Sequence, residues 1–207
     1  MGLPLPLFAA NAEPAPWPEV VLPPVSVAGY GTDPDMVAPL AEPWPLTLTP
    51  RQRALLRELS DILLPADDAS PAASQVGVAD VVDHWISAPY APQQRHRETL
   101  LKGFLWLDAQ AQQQFASNFL QASVAQRLRL VDALVTAEAT PSTAMEQPVA
   151  FFRLLRHLVC GAYYSSPAGL KALGYVGNVP LVGDYPGPSA AALDHLQKQL
   201  AMLGLSA

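Results

Sequence analysis

The residue types best suited to chemistry gather in one stretch, Val149 to Pro188. Cys160 is the only cysteine of the chain, and His157 precedes it at helical spacing, which puts both on one face of a helix. A thiol beside an imidazole can serve as a nucleophile with its base. That chemistry needs another group to orient the base, and none is evident. A buried, inert thiol is the plainer alternative, because free cysteine is among the most buried residue types. An odd thiol also suits a disulfide to a cysteine on a second chain. Tyr163, Tyr164, Tyr175 and Tyr185 follow in the same stretch. Rings with a polar tip either anchor an interface or cap their own core. Asp184, in the run VGDYPG, can accept from a partner's backbone or from its own turn.

Other carboxylates and glycines carry less. Asp67 and Asp68 are adjacent, so their side chains diverge, and the run Asp67 to Pro71 reads as a turn rather than a cation site. Asp80, Asp83 and His84 have no second histidine at ligand spacing. The chain lacks a GxGxxG loop, a CxxCH haem motif and a GxSxG elbow. No cofactor is therefore expected in this chain.

Helices must position these residues. From Val149 onward Phe151, Leu155, Leu158 and Ala162 form one apolar stripe, and Arg153 and Arg156 are the only charged residues before Pro167. The helix should end near Tyr163 to Ser165, because Gly161 and Pro167 disfavour its continuation. A short helical turn then closes at Gly174. Beyond it Gly177, Gly183, Gly187, Pro180, Pro186 and Pro188 forbid regular structure, yet Tyr175, Val176, Val179, Leu181, Val182 and Tyr185 are too apolar for a free linker.

Upstream, Thr49 is an N-cap with Pro50 at the first helical position. Leu55, Leu56, Leu59, Ile62 and Leu63 supply the inner stripe of that helix, and Pro65 stops it. Val78 to Ile86 predicts a short amphipathic helix with Val78, Val81, Val82 and Trp85 inward and His84 toward solvent. A longer helix from about Gln93 carries Leu100, Leu101, Phe104, Leu105 and Leu107, with Trp106 on another side. Gln110 to Leu120 and Val124 to Val135 continue the helical pattern, Ala137 to Pro148 reads as a loop, and Ala190 to Leu203 is a last amphipathic helix. The expected fold is all-α, an irregular bundle of about six helices. Its expected organisation is a Pro-rich arm over residues 1–48 and a helical domain over 49–207.

Composition narrows the function classes. Half of the 207 residues are hydrophobic, 14% are charged, and mean hydropathy is +0.17. Such a chain either fills an Ala- and Leu-rich core or meets a permanent partner through apolar surface. A net charge of −6 and a pI near 5.1 argue against nucleic acid. No uninterrupted apolar run is long enough to predict a membrane span. Residues 1–50 hold 12 of the 22 prolines and no Lys or Arg. They also keep Trp17, Trp44, Phe8 and Tyr30, which a solvated tail rarely does. The arm is expected to wrap over its own domain or a partner.

Two blocks carry a resemblance: Leu56 to Trp85, LRELSDILLPADDASPAASQVGVADVVDHW, and Tyr163 to Gly187, YYSSPAGLKALGYVGNVPLVGDYPG. Together they resemble the small (gamma, third) subunit family of gluconate 2-dehydrogenase-type flavin enzymes. The resemblance implies a non-catalytic accessory subunit of a separate FAD-containing, glucose-methanol-choline-type (GMC-type) catalytic subunit, periplasmic, with a cytochrome c subunit or quinone taking the electrons. It also implies an export escort with a twin-arginine leader, whereas residues 1–12 lack the basic n-region such a leader needs. The partner surface is expected at Cys160, Tyr163, Tyr164, Tyr175, Asp184 and Tyr185, with Trp17 and Trp44 from the arm. Rival readings are a dissociable assembly chaperone and a small helical enzyme built on Cys160 and His157.

Overall fold

A computed structural model describes residues 13–27, 29, 44–140, 142–175, 177, 183–184 and 186–205. Among them there are seven α-helices and no strand. These are α1 (Pro50–Leu63), α2 (Val78–Ile86), α3 (Ala91–Phe115), α4 (Val124–Ala139), α5 (Glu146–Tyr164), α6 (Pro167–Ala172) and α7 (Ala190–Met202). The chain divides into two compact units, Met1–Gly174 and Tyr175–Ala207.

In the first unit, local chemistry sets the helix ends. Thr49 and Gln52 form a reciprocal capping box at α1, with Pro50 at its first position. Asp67 Oδ1 accepts from the amides of Ala69 and Ser70 at 2.8 and 2.7 Å, which makes the expected turn. Gly174, at φ 64°, ends the turn after α6.

The core is built around α5. Phe151, Leu155 and Val159 are fully enclosed, and Phe104 of α3 meets Phe151 edge-on with centroids 6.1 Å apart. Gly103 lets the two helices approach, because a Cβ there would overlap the Phe151 ring. From α1, Leu55, Leu56 and Leu59 complete this interior.

The arm residues 13–27 lie along α3 of their own chain. Ala15 donates its amide to Gln110 Oε1 at 2.8 Å and accepts from Trp106 Nε1 at 2.8 Å. Gln113 Nε2 donates to the Glu13 carbonyl, Arg97 Nη1 to the Pro23 carbonyl, and Gln94 bonds both N–H and C=O of Val25. Arm and helix therefore run antiparallel, and side chains of α3 hold the arm by its backbone.

Several expectations are corrected. The long helix stops at Phe115, where Ala116 turns left-handed at φ 54°. Residues 116–123 form a turn, tied by the Phe119 amide to Asp108 Oδ1 at 3.0 Å. Trp106 is 2% exposed while Leu105 is 44% exposed, because the arm walls α3 on a second side. In α2, Val81 and Trp85 face outward, and Asp83 is enclosed in their stead. Its Oδ1 accepts from the Leu48 amide and from Ser87 Oγ at 3.2 and 3.1 Å. The span read as a loop, 137–148, is shortened from both sides by α4 and α5.

The second unit contains α7, capped by Ser189, whose hydroxyl accepts from the Ala192 amide at 3.2 Å. None of the α7 residues is buried.

Candidate partner interface

The outward turn of α2 leaves an apolar face between it and α5. Val81 and Trp85 stand on one side, 53% and 43% exposed. His157, Leu158, Gly161 and Ala162 line the other side of a cleft of about 310 Å³. No Asp, Glu, Lys or Arg lines it.

Trp85 is held in place. Its Nε1 donates to His96 Nδ1 at 3.1 Å, and the two rings stack with centroids 6.3 Å apart. An imidazole that accepts at Nδ1 is neutral there and carries its proton on Nε2. Burial pushes the His96 pKa down, and the nearby His157 and Arg95 push it the same way. The hydrogen bond and the surroundings thus both favour a neutral ring.

Gly161 is the second notable residue of this face. A mid-helix glycine costs about 1 kcal/mol relative to alanine. The glycines at 103 and 169 have an internal reason, since a Cβ would strike Phe151 in one case and the Tyr163 carbonyl in the other. At Gly161 a Cβ would meet nothing within 4 Å among the described residues. The chain's own packing does not require glycine there.

Cys160 is partly buried. Burial pushes its thiol pKa up, and Arg156 offsets this only in part. No hydrogen bond joins it to His157 among the described residues, so the pair lacks both the contact and the lowered pKa of an activated nucleophile.

The remaining site candidates separate. Tyr163 is 3% exposed, edge-on to Tyr164 at 5.2 Å, with its hydroxyl donating to the Pro71 carbonyl at 2.8 Å. Trp44 is buried, donates to the His84 carbonyl at 2.9 Å, and meets Tyr90 edge-on. Trp17 packs half-buried against the core. The rings of Tyr163 and Trp44 thus cap the chain's own core rather than offering surface. Tyr175 is 59% exposed and Asp184 is exposed. Tyr185, with Val176, Val179, Leu181 and Val182, lies outside the described residues, as do Phe8 and Tyr30.

Other polar clusters are structural. Glu138 takes hydrogen bonds from Arg153 and Arg156, which hold its carboxyl down at about 2. Asp80 pairs with Arg53, whose Nε also lies 3.8 Å from Asp83. No group of His, Cys, Asp and Glu suited to a metal occurs among the described residues. No helix among them is long and apolar enough to cross a membrane.

Residues 50–183, from α1 through the segment after α6, match the family described as gluconate 2-dehydrogenase subunit 3. The chain belongs to that family. No curated protein and no solved structure matches it. As a subunit 3 chain it is, by the family's description, a component of a multi-subunit dehydrogenase. The match includes Trp85, His96 and Gly161 and stops before α7. The sequence reading missed this face because it placed Val81 and Trp85 inside. Its available signal was a glycine inside a helix with no turn to explain it.

Proposed function

We propose that this subunit 3 chain is a non-catalytic accessory subunit that docks on, and stabilises, an FAD-containing GMC-type catalytic subunit. The observation that carries the reading is the uncharged face of Val81, Trp85, Leu158 and Gly161, in a chain whose family is a dehydrogenase subunit. A half-exposed tryptophan fixed in one rotamer by a hydrogen bond is pre-ordered for docking, so little side-chain entropy remains to be lost. The open space over Gly161 admits close approach of another chain's backbone.

In this reading sugar or alcohol is oxidised at the partner's FAD, and electrons pass to a cytochrome c or quinone without touching this chain. The complex works in the periplasm. Cys160 serves packing or a disulfide to the partner, and not turnover.

The test is tagged purification from the native host, with a non-reducing gel and a visible spectrum of the eluate. The expected result is a stoichiometric flavoprotein with flavin absorption, lost in Trp85→Ala and Gly161→Leu variants that keep their helical circular dichroism. Cys160→Ala is expected to leave dehydrogenase activity intact. A colourless, partner-free chain would overturn the reading. Activity abolished by Cys160→Ala in a folded chain would favour the small enzyme instead.

A further inference from the structure

A second cleft, of about 400 Å³, lies between the arm and α3, away from the face described above. Its deepest polar group is Arg97, which is 9% exposed. Arg97 Nε donates to Thr47 Oγ1 and Nη1 to the Pro23 carbonyl, both at 3.1 Å and both to uncharged oxygens. No carboxylate lies within ion-pair distance of it among the described residues. Among the described residues Nη2 has no acceptor, yet it is not among the sealed-off polar atoms, so it stays accessible. A guanidinium stays charged and is costly to enclose without a counter-charge. Burial accordingly pushes its pKa down, with no acid to push it back.

The charges around the cleft sum simply. Arg95, Arg97 and Lys102 line it together with Glu19 and Glu98. Lys102 is matched by Glu98 at 2.7 Å. Arg95 and Glu19 are exposed and screened by solvent. Among the described residues one positive charge, that of Arg97, is left without a partner inside the cleft. Beyond Glu19, the arm's share of the lining is apolar, from Val20 to Pro24.

We propose that this cleft binds a small monocarboxylate, its carboxylate oxygens taken by the free edge of Arg97. The volume suits a ligand of sugar-acid size, within the range of small-molecule sites. The single uncompensated charge suits a monoanion better than phosphate. Guanidinium and carboxylate planes match in shape as well as in charge. The site shares no lining residue with the α2–α5 cleft.

The full chain would be titrated with sodium gluconate, sodium acetate and sodium phosphate at low ionic strength, with NMR signals of the Arg97 Nε–H and of residues 20–22 as readout. The expected result is one saturable site for both carboxylates and at least about tenfold weaker binding in Arg97→Lys, which keeps charge and loses the fork. Val20→Glu adds a carboxylate at a half-buried cleft residue, where solvent screens it less, and binding is expected to fall. This variant keeps the test sharp if Arg97→Lys loosens the arm. No saturation up to about 100 mM, equal affinity in wild type and Val20→Glu, or tighter binding of phosphate than of gluconate would each overturn the proposal. A site that responds in the isolated chain and is silent in the assembled complex would overturn the assignment to a free acid in favour of a protein carboxylate.

Discussion

The arm of residues 13–27 and α7 both carry apolar side chains and differ in how those side chains are covered. The arm is interrupted by five prolines, whereas α7 is a regular helix capped by Ser189. Yet Ala15 of the arm is 5% exposed, whereas Leu193 and Leu196 of α7 are 45% and 49% exposed. What distinguishes the arm is its neighbour. Gln94, Arg97, Trp106, Gln110 and Gln113 line one side of α3 and end in donors or acceptors that reach an extended backbone. A proline-rich segment cannot use its own backbone for a helix or a full ladder, so it becomes ordered where a helix brings side chains to it. Composition alone does not make a strap; the donors and acceptors of the neighbouring helix do.

Breaking the strap at its centre should show the largest effect. Trp106→Ala removes a fully enclosed ring and the donor to Ala15, and should cost about 3–5 kcal/mol in urea unfolding. Trp106→Phe, which keeps much of the volume and loses the donor, should cost about 1–3 kcal/mol. If both variants unfold with the wild-type midpoint, the arm is not part of the cooperative unit. Gln110→Leu strands the buried Ala15 amide and should cost about 1–3 kcal/mol by the same measurement. The second region gives the smallest response. Leu193→Ser with Leu196→Ser should shift the unfolding midpoint of the full chain by no more than about 0.5 kcal/mol per site, as at surface positions generally. A loss above about 2 kcal/mol would show that these leucines are covered in the folded chain and would erase the contrast.

The helical skeleton was legible because its signals are local. Thr49 with Pro50, the Asp67 turn and Gly174 act over a few residues, and each forms the boundary expected of it. The residues misplaced are those decided by something distant in sequence. Trp106 goes inward because the arm covers it. Asp83 displaces Trp85 from the interior because the Leu48 amide needs an acceptor. The end of α3 escaped notice because Ala116, not glycine or asparagine, takes the left-handed position. At the candidate face, Cys160 drew attention by being chemically distinctive, while Gly161 beside it was read only as a weak helix former. For Arg97 no sequence signal existed, since an unpaired charge is recognised only once its surroundings are known.

The contacts between the arm and α3 join residues 69 to 100 positions apart. During synthesis the arm leaves the ribosome first and waits for its helix. At roughly 5–20 residues per second, the 95 residues between Ala15 and Gln110 take about 5–20 s. For that time an extended apolar segment has no surface to lie on, a condition that invites pairing with other nascent chains. Residues 13–27 carry prolines at 14, 16, 18, 23 and 24, each of which lacks the amide that an intermolecular strand would need. The same residues that bar the arm from regular structure keep it from wrong company until its helix arrives.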